Sequence, residues 1–235
     1  MVGSEAVEPT DPAQPGVQRV FQTREQRRAF YDKISRVYDL LADHAEAPMR
    51  ERGLELLAAR RGESVAEVGC GTGHCLAALA RAVGAAGLAL GVDLSPGMLA
   101  QASDWLEREG LAGRAALACA DGAGLPLADE GLDALFASFT LELFDTPEIP
   151  LVLSEWARVL RPGGRIVVVG MSRAGGPEPM LRLYEWTHRH FPNFVDCRPI
   201  FVQRALEDAG FATLGSELLH MWVPVEIVLA HKARP

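Results

Sequence analysis

The chain has 235 residues, is 49% hydrophobic and carries a formal net charge of −8 with a pI near 5.3. That length and apolar content suffice for one sizeable core, so a single domain is expected, while the acid excess argues against general nucleic-acid binding, which relies on Lys and Arg neutralising phosphates. No apolar run approaches the roughly 20 residues of a membrane-spanning helix and no charged-then-apolar leader opens the chain, so a soluble, cytoplasmic protein without stable membrane insertion is expected.

Residues 1–20 mix Pro, Gly, Glu and Gln without an apolar period and read as a disordered tail. From 21 to 58 the pattern turns helical, with Phe30, Ile34, Val37, Tyr38 and Leu41 on one face and Pro48 interrupting or restarting the helix. This segment precedes the core and is available as a lid. Tyr31 and Tyr38 stand seven residues apart on similar helix faces, with Asp32 and Asp39 beside them.

Ser64 to Val68 is strand-like, and Leu76, Leu79, Ala80 and Val83 then repeat at helical spacing. The run Glu67-Val68-Gly69-Cys70-Gly71-Thr72-Gly73 therefore sits at a strand-to-helix junction, where glycine accepts positive φ and lets a ligand approach the backbone. A second apolar stretch, Leu88 to Val92, ends in Asp93, an acid at the carboxyl end of a strand that can accept hydrogen bonds from ribose hydroxyls. Ser95 and Pro96 are an N-cap and first-turn pair for the next helix.

Cys119 to Pro126 carries Asp121 and Gly122 at a strand end, and Leu132 to Phe139 forms a fourth strand that includes Ser138. Thr146 and Pro147 read as the opening of a helix that runs to Leu160, which leaves Thr140 to Asp145 as a loop above the site. Glu142 in that loop is a candidate proton acceptor. Val159 to Val169 reads as a helix stop, a turn and the fifth strand.

Residues 171–199 form a connection longer than the few residues usual between a strand and a helix, dense in aromatic, imidazole and charged groups. Tyr184 and His188 share a helix face there and His190 falls on another. The two histidines are candidate general bases, because imidazole titrates near neutral pH, and Tyr184, Trp186 and Arg198 are candidate substrate contacts. Ile200 to Ala209 is an amphipathic helix closed by Gly210, followed by β-like runs at 211–218 and 222–230. Cys70, Cys75, Cys119 and Cys197 have neither metal nor disulfide spacing and read as small residues of a reducing compartment, with no metal site.

The glycine run is G-x-G-x-G rather than the dinucleotide G-x-G-x-x-G. With Asp93-Leu94-Ser95-Pro96-Gly97-Met98, the Asp121-Gly122 segment, the Ser138 strand and Leu160-Arg161-Pro162-Gly163-Gly164, it resembles the class I S-adenosylmethionine-dependent methyltransferases over roughly residues 60 to 170. The resemblance implies an α/β, Rossmann-like, doubly wound seven-stranded sheet, mostly parallel with an antiparallel last strand and helices on both faces. It implies S-adenosyl-L-methionine as cofactor, held by Glu67, Gly69, Cys70, Gly71, Gly73, Asp93, Leu94, Met98, Asp121, Gly122 and Ser138, with Tyr31 and Tyr38 covering its methionine end. It implies residues 171–199 as a substrate cover and direct in-line transfer of a methyl group to a small-molecule acceptor. The aromatic cover suits a partly apolar or aromatic acceptor. The resembling quinone-biosynthesis branch suggests quinol C-methylation, although Thr140-Leu141-Glu142-Leu143-Phe144 replaces the Gly-Leu-Arg-Asn-type sequence of that branch. Phospholipid amine N-methylation, and a non-catalytic protein that binds adenosyl ligands, remain alternatives, and a homodimer is compatible with all of these.

Overall fold

The computed structural model describes residues 17, 19, 20, 22–35, 38–175 and 198–233. Seven strands form one sheet: β1 (Ser64–Val68), β2 (Leu88–Asp93), β3 (Ala115–Cys119), β4 (Leu132–Ser138), β5 (Leu160–Met171), β6 (Phe211–His220) and β7 (Pro224–Lys232), in the order β3-β2-β1-β4-β5-β7-β6. The first five pair in parallel, whereas β7 runs antiparallel to both β5 and β6. The strand order reverses at β1, flanked by β2 and β4. In such sheets the crevice at the carboxyl ends beside the reversal is the ligand site.

The helices are α1 (Arg24–Ile34), α2 (Tyr38–Leu57), α3 (His74–Val83), α4 (Pro96–Arg108), α5 (Ile149–Val159) and α6 (Val202–Asp208). Side chains alternate across β1: Ala66 and Val68 join an apolar core with Trp156 of α5, and Val65 joins another with Leu76 and Leu79 of α3. Glu67 shares the Val65 face by the same alternation and is 2% exposed.

Three local readings are corrected. The helix containing Pro48 is neither interrupted nor restarted, since α2 continues through it to Leu57. Packing overrides the lost hydrogen bond: at Gly53 a Cβ would lie 2.6 Å from Val169 Cγ2 and 2.9 Å from Phe136 Cε2, so α2 rests on β4 and β5 at close range. The fifth helix opens at Ile149 with Pro150 in its first turn, not at Thr146. The preceding chain is held in a turn by Asp145, whose Oδ1 accepts from Thr146 N at 2.9 Å and whose carbonyl accepts from Glu148 N at 2.8 Å. The helix before Gly210 is also shorter than the sequence suggested, spanning Val202–Asp208.

Gly73 ends the glycine turn with φ +87°, and a Cβ there would meet Ala102 Cβ of α4 at 2.9 Å. Gly62 has a similar φ of +84° but nothing within 4 Å. Gly73→Ala is therefore expected to destabilise the fold by roughly 2–3 kcal/mol, against about 1 kcal/mol for Gly62→Ala, measured as urea midpoints. Equal losses would show that the α3–α4 approach has no energetic role.

Candidate functional site

The carboxyl ends of β1, β2 and β4 open into a cavity whose wall includes Val68, Gly69, Asp93, Leu94, Met98, Asp121, Gly122 and Ser138. Its roof comes from Arg27 and Tyr31 of α1, and its far side from Thr140, Leu143 and Phe144. A second, smaller and polar compartment adjoins it at Gly69 and Ser138, walled by Glu46 and Arg50 of α2 with Glu67, Cys70, Thr72 and His74.

Local geometry explains why the glycine turn takes this shape. Gly69 has φ +72°, and a Cβ on it would stand 2.2 Å from Thr140 Oγ1, so the turn touches the end of β4. Gly71 N donates to Asp93 Oδ2 at 2.9 Å, while Ser95 N donates to Asp93 Oδ1 at 2.9 Å. One carboxylate thus ties the glycine turn to the start of α4. Burial pushes the Asp93 carboxyl above its ordinary range; the two amides oppose this and the nearby Asp32 carboxylate adds to it.

Asp32 makes α1 part of the site. Its Oδ1 accepts from Ser95 Oγ at 2.5 Å and from Gly97 N at 2.9 Å, adding a second carboxylate to the first turn of α4. Arg24 Nε reaches Asp121 Oδ2 at 2.8 Å, and Ala123 N donates to Asp121 Oδ1 at 2.9 Å. Farther out, Arg19 grips Asp145 through Nη2 at 2.6 Å and Nε at 2.8 Å. The sequence pattern placed Asp32 beside Tyr31 without giving it a role, and Arg24 and Arg27 had no trace beyond their place on the same helix.

Phe139, just beyond β4, holds φ +49°, a left-handed conformation unusual for an aromatic residue, and its N donates to Val169 O at 2.8 Å. The kink aims Ser138, Phe139 and Thr140 into the cavity. Glu142 follows in a short 3-10 turn (Leu141–Leu143), and there the structure departs from its reading as a proton acceptor in a loop above the site. Glu142 is fully buried, is not among the residues lining the cavity, and accepts from Met171 N through Oε1 at 3.0 Å. Oε2 has no hydrogen-bond partner. Burial pushes its pKa up to about 8, with Arg198 opposing and Glu46 reinforcing the shift.

Arg198 also differs from its reading as a substrate contact. It is fully buried behind the wall, with Nη2 donating to Phe144 O at 2.5 Å, and is not among the cavity-lining residues. Gly71 and Gly73 shape the turn without lining either compartment. Tyr184, Trp186, His188 and His190 lie outside the described residues, as does the side chain of Tyr38. Among the described residues no cluster of His, Cys, Asp or Glu could hold a metal ion, and no helix is long and apolar enough to cross a membrane.

Glu67 lines the polar compartment and its Oε2 has no hydrogen-bond partner; burial pushes this carboxyl well above its ordinary range, against the attraction of Arg50. Two adjoining compartments that hold buried acids, one arginine each and open glycine backbone suit a ligand that is part nucleoside and part zwitterion.

A raised folded-state pKa makes Glu142 destabilising as pH climbs from about 4.5 to about 8, because across that window the folded state binds the proton that the unfolded chain releases. Glu142→Gln removes this cost. The melting temperature of the variant relative to wild type is expected to rise by roughly 10 °C between pH 5 and pH 8.5 and then level off. A difference independent of pH would contradict the burial of this carboxyl.

Comparison with known proteins follows the same outline. A sequence profile described as a methyltransferase domain matches residues 65–164. Nocamycin O-methyltransferase of Saccharothrix syringae is 34% identical over 66% of this chain and 52% of its own length. A 2-phytyl-1,4-naphtoquinone methyltransferase of Synechococcus elongatus is 30% identical over 66% of each chain. The chain thus spans about half to two thirds of the length of these curated relatives. Among solved structures, the 4+2 cyclase SpnF superposes with a TM-score of 0.71 at 20% identity, covering 91% of this chain and 98% of its own, a likeness of fold.

Proposed function

Because the chain belongs to the class I S-adenosylmethionine-dependent methyltransferases, we propose that it transfers the methyl group of S-adenosyl-L-methionine to a small, partly apolar or aromatic molecule. The observation that carries this reading is the Asp93 carboxylate, bonded to the Gly71 and Ser95 amides at the mouth of a cavity shared with Asp121, Gly122 and Ser138. The residues present fit the cofactor. Leu94, Met98, Ala120 and Phe144 offer an apolar slot for a flat base, Asp93 an acceptor for ribose hydroxyls, and Gly69 an approach to backbone without a Cβ. In the polar compartment, the Glu67 oxygen that lacks a partner suits the ammonium of an amino acid, and Arg50 suits its carboxylate.

The bound sulfonium supplies an electrophilic methyl group, so the chain's task is chiefly to bind, orient and exclude water. Residues 21–58 act in this reading as a lid, with Arg27 and Tyr31 closing the roof, and residues 171–199 as the acceptor cover. An acceptor that must lose a proton needs a base. Glu142 holds its own proton up to about pH 8 and sits behind the wall, which favours His188 or His190 for that step. The identities with a nocamycin O-methyltransferase and a naphthoquinone methyltransferase support a small-molecule acceptor over a macromolecule. Quinol C-methylation is kept as the second reading on the strength of the latter.

S-adenosylhomocysteine is expected to raise the melting temperature of the protein and NAD to leave it unchanged, and Asp93→Ala is expected to weaken S-adenosylhomocysteine at least about tenfold, the value of one charge-assisted hydrogen bond. Stabilisation by NAD alone would overturn the reading.

A further inference from the structure

Helix α1 carries three arginines over the site, and two of them meet carboxylates. Arg24 pairs with Asp121 and Glu148, and Arg28 stands 3.8 Å from Asp32. Arg27 differs from both. It is only 7% exposed, it lines the large cavity beside Tyr31, and no carboxylate among the described residues pairs with it. Its Nη1 donates to the carbonyl of Leu143 and its guanidinium lies 5.6 Å from the centre of the Phe144 ring, while Nε has no hydrogen-bond partner.

A guanidinium cannot shed its proton to escape this situation, and a buried charge is normally retained only with an opposite charge beside it. A carbonyl and a ring face compensate Arg27 in part. The cavity's own acids are engaged elsewhere: Asp93 with two amides, and Asp121 with Arg24 and the Ala123 amide. The methyl donor brings a sulfonium, an ammonium and a single carboxylate, and the proposed function places that carboxylate in the other compartment beside Arg50, which also pairs with Glu46 at 3.2 Å. Among the described residues no carboxylate fills that place, which leaves it open to the other substrate.

We propose that Arg27 is the recognition site for a carboxylate on the methyl acceptor, so that the substrate is an acidic molecule with an apolar body. This rests on the methyltransferase reading for the cavity's main occupant. The planar guanidinium suits a planar oxyanion, and the apolar body would lie along Leu143 and Phe144. Arg27 is thus a specificity-determining residue contributed by the lid.

The test uses isothermal titration of the full chain with matched probes that differ in charge alone: benzoate against benzamide and 2-naphthoate against 2-naphthamide, each with and without saturating S-adenosylhomocysteine. In wild type at least one acid is expected to bind tenfold or more tightly than its amide. In Arg27→Met that preference is expected to shrink below twofold, and in Arg27→Lys to survive in part, with S-adenosylhomocysteine affinity within threefold of wild type in both. The proposal is overturned if neither pair shows a preference in wild type, or if the preference persists in Arg27→Met. It is also overturned if Arg27→Met loses S-adenosylhomocysteine more than tenfold, which would assign Arg27 to the donor. Failure of the donor reading is distinct: S-adenosylhomocysteine would not bind wild type at all, while the acid–amide comparison without it would still report on Arg27.

Discussion

The site depends on one carboxylate in the right place. Asp93 ends β2 where the sheet order reverses, and its two oxygens fix two peptide groups that belong to different elements, Gly71 in the glycine turn and Ser95 at the start of α4. Ser95 Oγ accepts from Met98 N and donates to Asp32, so the same network caps α4 and docks α1. Removing Asp93 would leave amides unsatisfied in the cavity wall and loosen three elements together, since partly satisfied polar networks are costlier than their count of bonds suggests. The arrangement also leaves an acid facing the cavity in a half-buried setting, where a donor hydroxyl is worth more than in water.

The roof is assembled on a different principle from the walls. The central strands and α3, α4 and α5 bury continuous apolar surface, whereas α1 meets the rest of the chain through Asp32 on α4, Arg24 on Asp121 and Arg27 on the Leu143 carbonyl. Its own start is secured locally by a capping box between Thr23 and Gln26. Of these, Arg24–Asp121 is a half-exposed ion pair, which contributes little and weakens with salt. A helix held by a few polar contacts instead of a continuous apolar face keeps its own shape while it moves, which suits a cover that must admit a donor and release a product. The wall below is stiffer: Arg198 holds the Phe144 carbonyl from behind, and the buried Glu142 holds the Met171 amide.

What the sequence disclosed was what spacing alone can encode. The G-x-G-x-G turn, Asp93 at a strand end, Ser95 as N-cap and the order of strands and helices are local patterns, and the structure brings Gly69, Asp93, Asp121 and Ser138 to one cavity. What stayed hidden depends on which distant surfaces meet. Glu142 looked like a proton acceptor above the site because nothing local shows that residues 141–143 fold under β5, and Arg198 looked like a substrate contact for the same reason. Pro48 looked like a break because the packing of α2 at Gly53 is a tertiary fact. Arg27 carries no motif at all and Asp32 only its place beside Tyr31; each acquires a role only when α1 is laid across the mouth of the sheet.

The central claim is that an adenosyl methyl donor occupies the cavity anchored by Asp93 and roofed by α1. Hydrogen exchange measured with and without saturating S-adenosylhomocysteine reads both halves of it in one experiment. The account predicts slowed exchange in the peptides spanning residues 69–73, 93–98 and 24–34, with α6 and β6 unchanged. Slowing confined to other regions, or protection of the glycine turn with none in α1, would contradict it.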